Sequence, residues 1–318
     1  MKYNYEVTVA VMTYHPDLEK MKRTIKSALL QKDVSMEIIV ADDGSLENYF
    51  NEVEAFFKEE NFTDYKMLPQ PENSGTVLNV YKALSNASGK YLKMISPGDY
   101  LNGENCLREW VDFMEEKDCK LSFSDMIAYK LNEDGSILQH QIPAKPSITE
   151  AYDTGDLESQ REWILWMNDL LCGAALLADT DTLKKYVGLM TGKVKYAEDF
   201  SVRLAIADGI IMRHFSRPYV WYECDTGISS GASDKWTKII DNDFIVQNEI
   251  LLENKEIANK LSPRYRWTFK NYGKMPEKLY KICKILIDPM KGFYVIRMKR
   301  EERKTLIGVD ESFLEKIW

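Results

Sequence analysis

The chain has 318 residues, enough for one large α/β domain with an appendage or for two domains. Hydrophobic residues make up 45% and charged residues 29%, an ordinary balance for a globular protein with a sizeable core. The net charge of −8 argues against a whole-protein role in coating nucleic acid, which needs a basic surface. Between residues 260 and 304, however, basic residues outnumber acidic ones by roughly three to one. The cysteines (Cys106, Cys119, Cys172, Cys224 and Cys283) are odd in number, far apart and without CxxC spacing. Reduced thiols in a cytosolic protein are therefore expected, with neither a disulfide framework nor a zinc site. The N-terminus carries Glu6 and runs directly into a strand pattern, so a signal peptide is not expected. The longest uncharged apolar run, residues 170–178, is too short to span a bilayer.

Residues 6–12 (EVTVAVM) form a β-branched apolar run suited to a buried parallel strand. Leu18, Met21, Ile25, Ala28 and Leu29 then recur at helical spacing after a candidate cap, Asp17. Residues 36–41 (MEIIVA) give a second strand that stops at Asp42-Asp43-Gly44-Ser45. A helix over 48–57, a strand over 65–68, a helix over 77–84 and a strand over 91–95 complete a β-α-β-α-β-α-β alternation. That order with short connections predicts a mostly parallel central sheet flanked by helices. Residues 121–130 and 136–141 flank Asp134-Gly135 as a hairpin. Residues 143–160 are polar and irregular and read as a long loop, and 163–177 as an apolar segment packed inside. Residues 199–208 read as a helix, and beyond Gly231 the pattern is mostly helical. The expected organisation is a domain over 1–230 and a helical region over 231–318.

In an open parallel sheet, ligands bind beyond the carboxyl ends of the strands. The four strand ends are followed by Thr13-Tyr14-His15, Asp42-Asp43-Gly44-Ser45, Asn73-Ser74-Gly75 and Ser96-Pro97-Gly98-Asp99. An acid at one strand end is commonly a helix cap; four polar ends in register point to a shared crevice. Thr13-Tyr14-His15-Pro16 has no glycine and the chain has no G-x-x-x-x-G-K-[ST], which disfavours dinucleotide and P-loop sites.

The opening VTVAVMTYHPD, the EIIVADDGS strand, ENSG with Asn79 four residues after Gly75, YLKMISPGDYL and YAEDFSVRLA together resemble family 2 glycosyltransferases of the GT-A fold. The resemblance spans about residues 7–229, and its order and spacing are more specific than any one motif. It implies sugar transfer from a nucleotide donor, usually with inversion and with Mg²⁺ or Mn²⁺. Position by position, it assigns Thr13, Tyr14 and Asp43 to the donor base, and Asn73 and Gly75 to the chain's approach to the donor. An Arg common in the family gives way to an apolar residue near Val80; Lys82 is a candidate substitute, with a solvated helix lysine as the alternative. The family's D-x-D segment reads Ser96-Pro97-Gly98-Asp99, so Asp99 is the metal-ligand candidate, with Ser96 and Gly98 beside the donor. Mg²⁺ and Mn²⁺ accept one carboxylate plus diphosphate oxygens and water. Glu198-Asp199 matches the acceptor-side acidic pair, with Asp199 as general base and Glu198 orienting the acceptor. The segment from Tyr222 to Ser229 lacks the Arg or His that the family uses there on the diphosphate.

Trp163, Trp166, Trp221 and Tyr222 are candidates for sugar stacking or for the core, and Cys172 reads as an inert thiol. His15 lies near the expected donor cleft and carries no assigned role. In residues 275–295, Leu279, Ile282, Ile285, Leu286 and Ile287 are flanked by Lys274, Lys278, Lys281 and Lys284, as in interfacial helices. The expected partners are a nucleotide sugar, a glycan or lipid-linked acceptor and, through residues 260–304, an anionic membrane surface; self-association is left open. The expected location is the cytoplasm or the inner face of the plasma membrane. A nucleotidyltransferase and a non-catalytic nucleotide- or glycan-binding relative are the alternative readings.

Overall fold

The computed structural model describes residues 2–133, 136–139, 146–224, 234–289 and 311–318. The first strand, β1 (Tyr5–Thr13), leads into α1 (Leu18–Leu29), whose start is capped by Asp17 accepting the Lys20 amide at 2.9 Å. There follow β2 (Met36–Asp42), α2 (Phe50–Glu59), β3 (Tyr65–Leu68), α3 (Thr76–Asn86), β4 (Gly89–Ile95), β5 (Tyr100–Leu101) and α4 (Cys106–Glu116). The middle of the chain holds β6 (Leu121–Leu131), β7 (Ile137–Gln139), α5 (Glu150–Thr154), α6 (Leu157–Arg161), β8 (Leu176–Asp179), α7 (Thr180–Met190), α8 (Ser201–Asp208) and β9 (Met212–Glu223). The last part is helical: α9 (Asp234–Glu253), α10 (Lys255–Asn259), α11 (Pro263–Asn271), α12 (Glu277–Ile287) and α13 (Glu311–Ile317).

The strands form a single mixed sheet in the order β3-β2-β1-β4-β8-β6-β9-β5, with β7 paired to β6. β3, β2, β1 and β4 are mutually parallel, as the alternation predicts. β8 then pairs antiparallel with both β4 and β6, and β6 runs parallel to β9. The period of two in β1 sorts its side chains between two cores. Val7, Val9 and Val11 pack with α1, α2 and α4 residues such as Ile25, Phe57 and Trp110, whereas Ala10 faces the cluster built on α3, α7 and α8.

Three segments depart from the sequence expectation. The region read as a loop over 143–160 contains α5 and α6 in its described part, because helices of five residues are too short to display a period. The apolar run to Leu177 contains β8, which periodicity cannot distinguish from buried helix. β9 was not anticipated; Arg213, Arg217 and Pro218 interrupt its apolar pattern, and its register against β6 shifts around Asp125. The Asp134-Gly135 turn, the proposed boundary near Ser230 and His140 lie outside the described residues.

The C-terminal helices share a core with the sheet. Phe244, Leu251, Ile257, Tyr265 and Phe269 belong to the same buried cluster as Phe123 and Leu176. α13 returns to pack Phe313 and Ile317 against Tyr100, Tyr129 and Trp221. Among the described residues, no helix is long and apolar enough to cross a membrane.

Candidate active site

A cleft of about 530 Å³ opens at the carboxyl ends of β1, β2, β4 and β9. Thr13, Tyr14, Asp43, Ser96, Asp99, Glu198 and Asp199, separated widely in sequence, all line it. Its placement follows from the parallel half of the sheet, where strand ends and the loops after them face one side.

Two adjacent aspartates end β2 and do different work. Asp42 accepts the Ser45 amide at 2.8 Å, the Ser45 hydroxyl at 2.5 Å and the Thr13 hydroxyl at 3.0 Å, so it locks the turn between the two strand ends. Asp43 reaches the next loop instead. Its Oδ1 accepts Gln70 Nε2 at 3.1 Å and the Ser74 amide and hydroxyl at 2.9 and 2.8 Å, while Oδ2 accepts the Gly75 amide at 2.9 Å. A carboxylate oxygen has two lone pairs, so Oδ2 keeps one acceptor position for a ligand N–H. Gly75, at φ +93°, is required here because a Cβ would lie 2.5 Å from the Lys195 carbonyl oxygen.

After β4, the Ser96-Pro97-Gly98-Asp99 turn meets the end of β9. The Glu223 amide donates to Asp99 Oδ1 at 3.1 Å, and both side chains are buried. Burial pushes the Asp99 carboxyl up to about 7; the Glu223 carboxylate adds to the rise, against the pull of the Glu223 amide and the Lys93 ammonium. Gly98, at φ +100°, sits beneath Glu223, where a Cβ would come within 2.3 Å of Oε2. Lys20 of α1 closes the group, its ammonium 2.5 Å from Glu223 Oε1. Glu223 and Lys20 were not anticipated from the sequence, Glu223 because β9 itself was not.

The cleft lining also includes Glu198 and Asp199, in a 3-10 turn (Glu198–Phe200) that leads into α8, rather than in the first turn of a longer α-helix. Burial, then the neighbouring Asp199 carboxylate, pushes Glu198 well above the usual carboxylate range. Gly173 leaves them room, since a Cβ there would stand 3.0 Å from Glu198 Oε1. The preceding backbone is held by Asp243 of α9, which accepts the amides of Lys195, Tyr196 and Ala197 at 3.2, 2.7 and 3.2 Å.

Other sequence candidates sit elsewhere. Asn73 belongs to the loop behind Asp43 and accepts the Tyr196 hydroxyl at 3.4 Å. Lys82 is outside the cleft lining, its ammonium bonded to the Pro69 carbonyl, so it does not stand in for the missing arginine. Trp166 and Trp221 are fully buried and Trp163 packs against the core, whereas Tyr222 lines the cleft. Cys172 also lines it, with its thiol pushed by burial up to about 12, an inert state at neutral pH. His15 lines the cleft beside Tyr14, and His214 is held between Asp153 and Asp125, at 2.7 and 3.1 Å.

A sheet of this order, with a cleft lined by acids at its strand ends, is an α/β fold of the GT-A type. The family model "Glycosyl transferase family 2" matches residues 8–176, and the chain belongs to that family. The fold is shared with the crystal structure of S. aureus TarS 1-349, at 18% identity and TM-score 0.55 over 98% of this chain and 81% of that one. The same S. aureus TarS fragment in complex with UDP-GlcNAc gives 18% identity and TM-score 0.53 over 98% and 82%. Its complex with UDP gives 16% and 0.52 over 91% and 83%. None of the curated proteins compared with the chain matches it. The protein is thus a glycosyltransferase.

Proposed function

We propose that this glycosyltransferase takes a UDP-sugar as donor and transfers the sugar, with inversion, to a hydroxyl of a cell-surface or lipid-linked glycan. The observation that carries the reading is that Asp43, Asp99, Glu198 and Asp199, far apart in sequence, line one cleft at the strand ends. The similar S. aureus TarS fragment, solved with UDP and with UDP-GlcNAc, supports a uridine nucleotide in that cleft. Thr13, Tyr14 and Asp43 hold the base, with Asp43 Oδ2 accepting a ring N–H; Ser96 borders the sugar phosphate, whereas Gly98 lies outside the cleft lining and makes room for Glu223. Asn73 and Gly75 act indirectly, by fixing the loop that orients Asp43.

Family 2 enzymes commonly use a divalent cation, and the residues here fit one. Asp99 Oδ2 accepts no hydrogen bond from a described residue, and the buried Glu223 carboxylate lies beside it. Among the described residues no group of three or more His, Cys, Asp or Glu is arranged as a metal site. Mg²⁺ or Mn²⁺ would therefore rest on Asp99 and Glu223, with diphosphate and water oxygens completing the shell. When bound, it neutralises charge on the departing nucleoside diphosphate. On the acceptor side Asp199 takes the hydroxyl proton as the oxygen attacks the anomeric carbon from the face opposite the leaving group. Glu198, protonated near neutrality, donates to the acceptor and orients it.

A lipid-linked acceptor fits the surface of α12. Leu279, Ile282 and Leu286 are 48, 53 and 72% exposed, with Lys274, Lys278 and Lys281 exposed alongside. Lys284 is not part of that fringe; it turns inward to the Trp166 carbonyl, and burial lowers it to about 8. The remaining lysines and the apolar stripe suit an anionic bilayer surface and support a location at the cytoplasmic face of the membrane. The catalytic reading is tested by presenting a panel of nucleotide sugars with Mn²⁺ and measuring release of the nucleoside diphosphate. UDP release abolished by EDTA supports it; turnover of no UDP-sugar contradicts it.

A further inference from the structure

The cleft presents a charge problem that the family's motifs do not solve in this chain. A nucleoside diphosphate brings negative charge to a site already lined by Asp43, Asp99, Glu198, Asp199 and Glu223. The expected cations are missing. Val80 is buried and apolar, and Lys82 bonds the Pro69 carbonyl outside the cleft. Lys93 is fully buried, with its ammonium donating to the Met94 carbonyl at 2.7 Å and to the Ala174 carbonyl.

Among the described residues lining the cleft, Lys20 is the one Lys or Arg. Its ammonium makes a single side-chain contact, to Glu223 Oε1 at 2.5 Å. An ammonium has three donors, so two remain for a ligand. The side chain is 26% exposed, against 6% for Glu223, so the lysine can move while the glutamate stays. Lys20 is fixed at its base by the Asp17 cap, and from there its stem reaches Glu223 beside Asp99.

We propose that Lys20 is the protein's cation for the donor diphosphate, and that Glu223 stores it when no donor is bound. This inference rests on the UDP-sugar reading above. In the resting site the ammonium balances Glu223. With a divalent cation held by Asp99 and Glu223, Lys20 would no longer be needed as their counter-charge, and its ammonium would be free to bond the diphosphate oxygens. Binding of metal and binding of the diphosphate are then coupled through one ion pair.

The two partners of that pair should respond in opposite directions. UDP and uridine affinities are measured by calorimetry in wild type, Lys20→Met and Glu223→Gln, with and without Mg²⁺. Lys20→Met is expected to weaken UDP roughly ten- to a hundredfold with Mg²⁺ present, and to leave uridine unchanged. Lys20→Arg, which keeps the charge, restores most of the UDP affinity. Glu223→Gln, which frees the lysine, is expected to bind UDP severalfold more tightly than wild type without Mg²⁺ and to lose most of the gain from adding it. Equal weakening of UDP and uridine in Lys20→Met would show that the lysine only shapes the cleft. Weaker metal-free UDP binding in Glu223→Gln would overturn the storage role. Unchanged UDP affinity in Lys20→Met, with wild type binding UDP, refutes the lysine alone. A wild type that binds no UDP refutes this inference together with the reading beneath it.

Discussion

The Asp243 carboxylate on α9 accepts the Tyr196 amide at 2.7 Å, and through it the helical C-terminal region holds the loop that delivers Glu198 and Asp199 to the cleft. Asp243 is buried and also takes the Lys195 and Ala197 amides, so three backbone donors converge on one carboxylate. The part of the cleft that carries Glu198 and Asp199 is therefore held partly by residues beyond 231.

Replacing Asp243 with Ala leaves those amides without their acceptor, at a cost of about 1–3 kcal/mol for each buried group left unsatisfied. The expected result is a lower melting temperature and kcat reduced roughly ten- to a hundredfold, since a small displacement of the base is costly. UDP affinity should stay near wild type, because Thr13 and Asp43 are held by other bonds. Calorimetry and turnover on the same preparation separate the two effects.

Glu198 supplies a pH signature. Burial and Asp199 raise its carboxyl, so it carries a proton well above the range where an exposed glutamate has lost it. The wild-type kcat profile should contain a titration above the ordinary carboxylate range, with activity falling as Glu198 ionises beside the base. Glu198→Gln, which mimics the protonated form, should remove that titration and keep much of the activity below it. A profile identical in wild type and Glu198→Gln would refute the role.

Gly75 tests the linkage between Asp43 and the following helix. An alanine there must adopt φ +93° and press a methyl group against the Lys195 carbonyl oxygen. The expected cost is about 1–3 kcal/mol of stability. Donor affinity should fall as well, because Gly75 and Asp43 share a hydrogen bond. Chemical denaturation and UDP calorimetry read the two quantities.

Asp208 predicts part of the acid response. Burial alone would raise its carboxyl, but bonds from Lys185, Lys260 and Tyr186 outweigh it and hold the group at about 2, below the ordinary 3.8. A depressed folded-state value contributes stability that is complete above the unfolded value and is lost as pH falls from about 3.8 towards 2. The contribution is on the order of 1 kcal/mol, because the half-exposed Lys185 and Lys260 ammoniums are screened by solvent. Asp208→Asn should lower stability at pH 7 and flatten its dependence between pH 4 and 2, measured by urea unfolding; an unchanged acid slope would contradict it.

The parallel half of the sheet was legible because β1, β2 and β4 are largely buried on both faces and written as mostly apolar runs, broken only by single residues such as Glu37 in β2 and Lys93 in β4. Their ends located Thr13, Asp43 and Asp99. β9 was not legible, since Arg213, Ser216, Arg217 and Pro218 disguise it, and Glu223 was lost with it. Lys20 looked like any lysine on an amphipathic helix; only the approach of β9 gives it a partner. Asp243 is a helix-interior acid whose partner amide lies 47 residues away, a relation that no local pattern records.

If Asp43 and Asp99 bind the donor while Asp199 removes the acceptor proton, the Asp199→Asn variant separates the two roles directly. UDP-sugar affinity and turnover are measured together in wild type and variant, with Mn²⁺ present. The account predicts donor affinity within about twofold of wild type and turnover lower by roughly 10²–10⁴. Turnover retained in the variant, or lost only in proportion to donor binding, would contradict it.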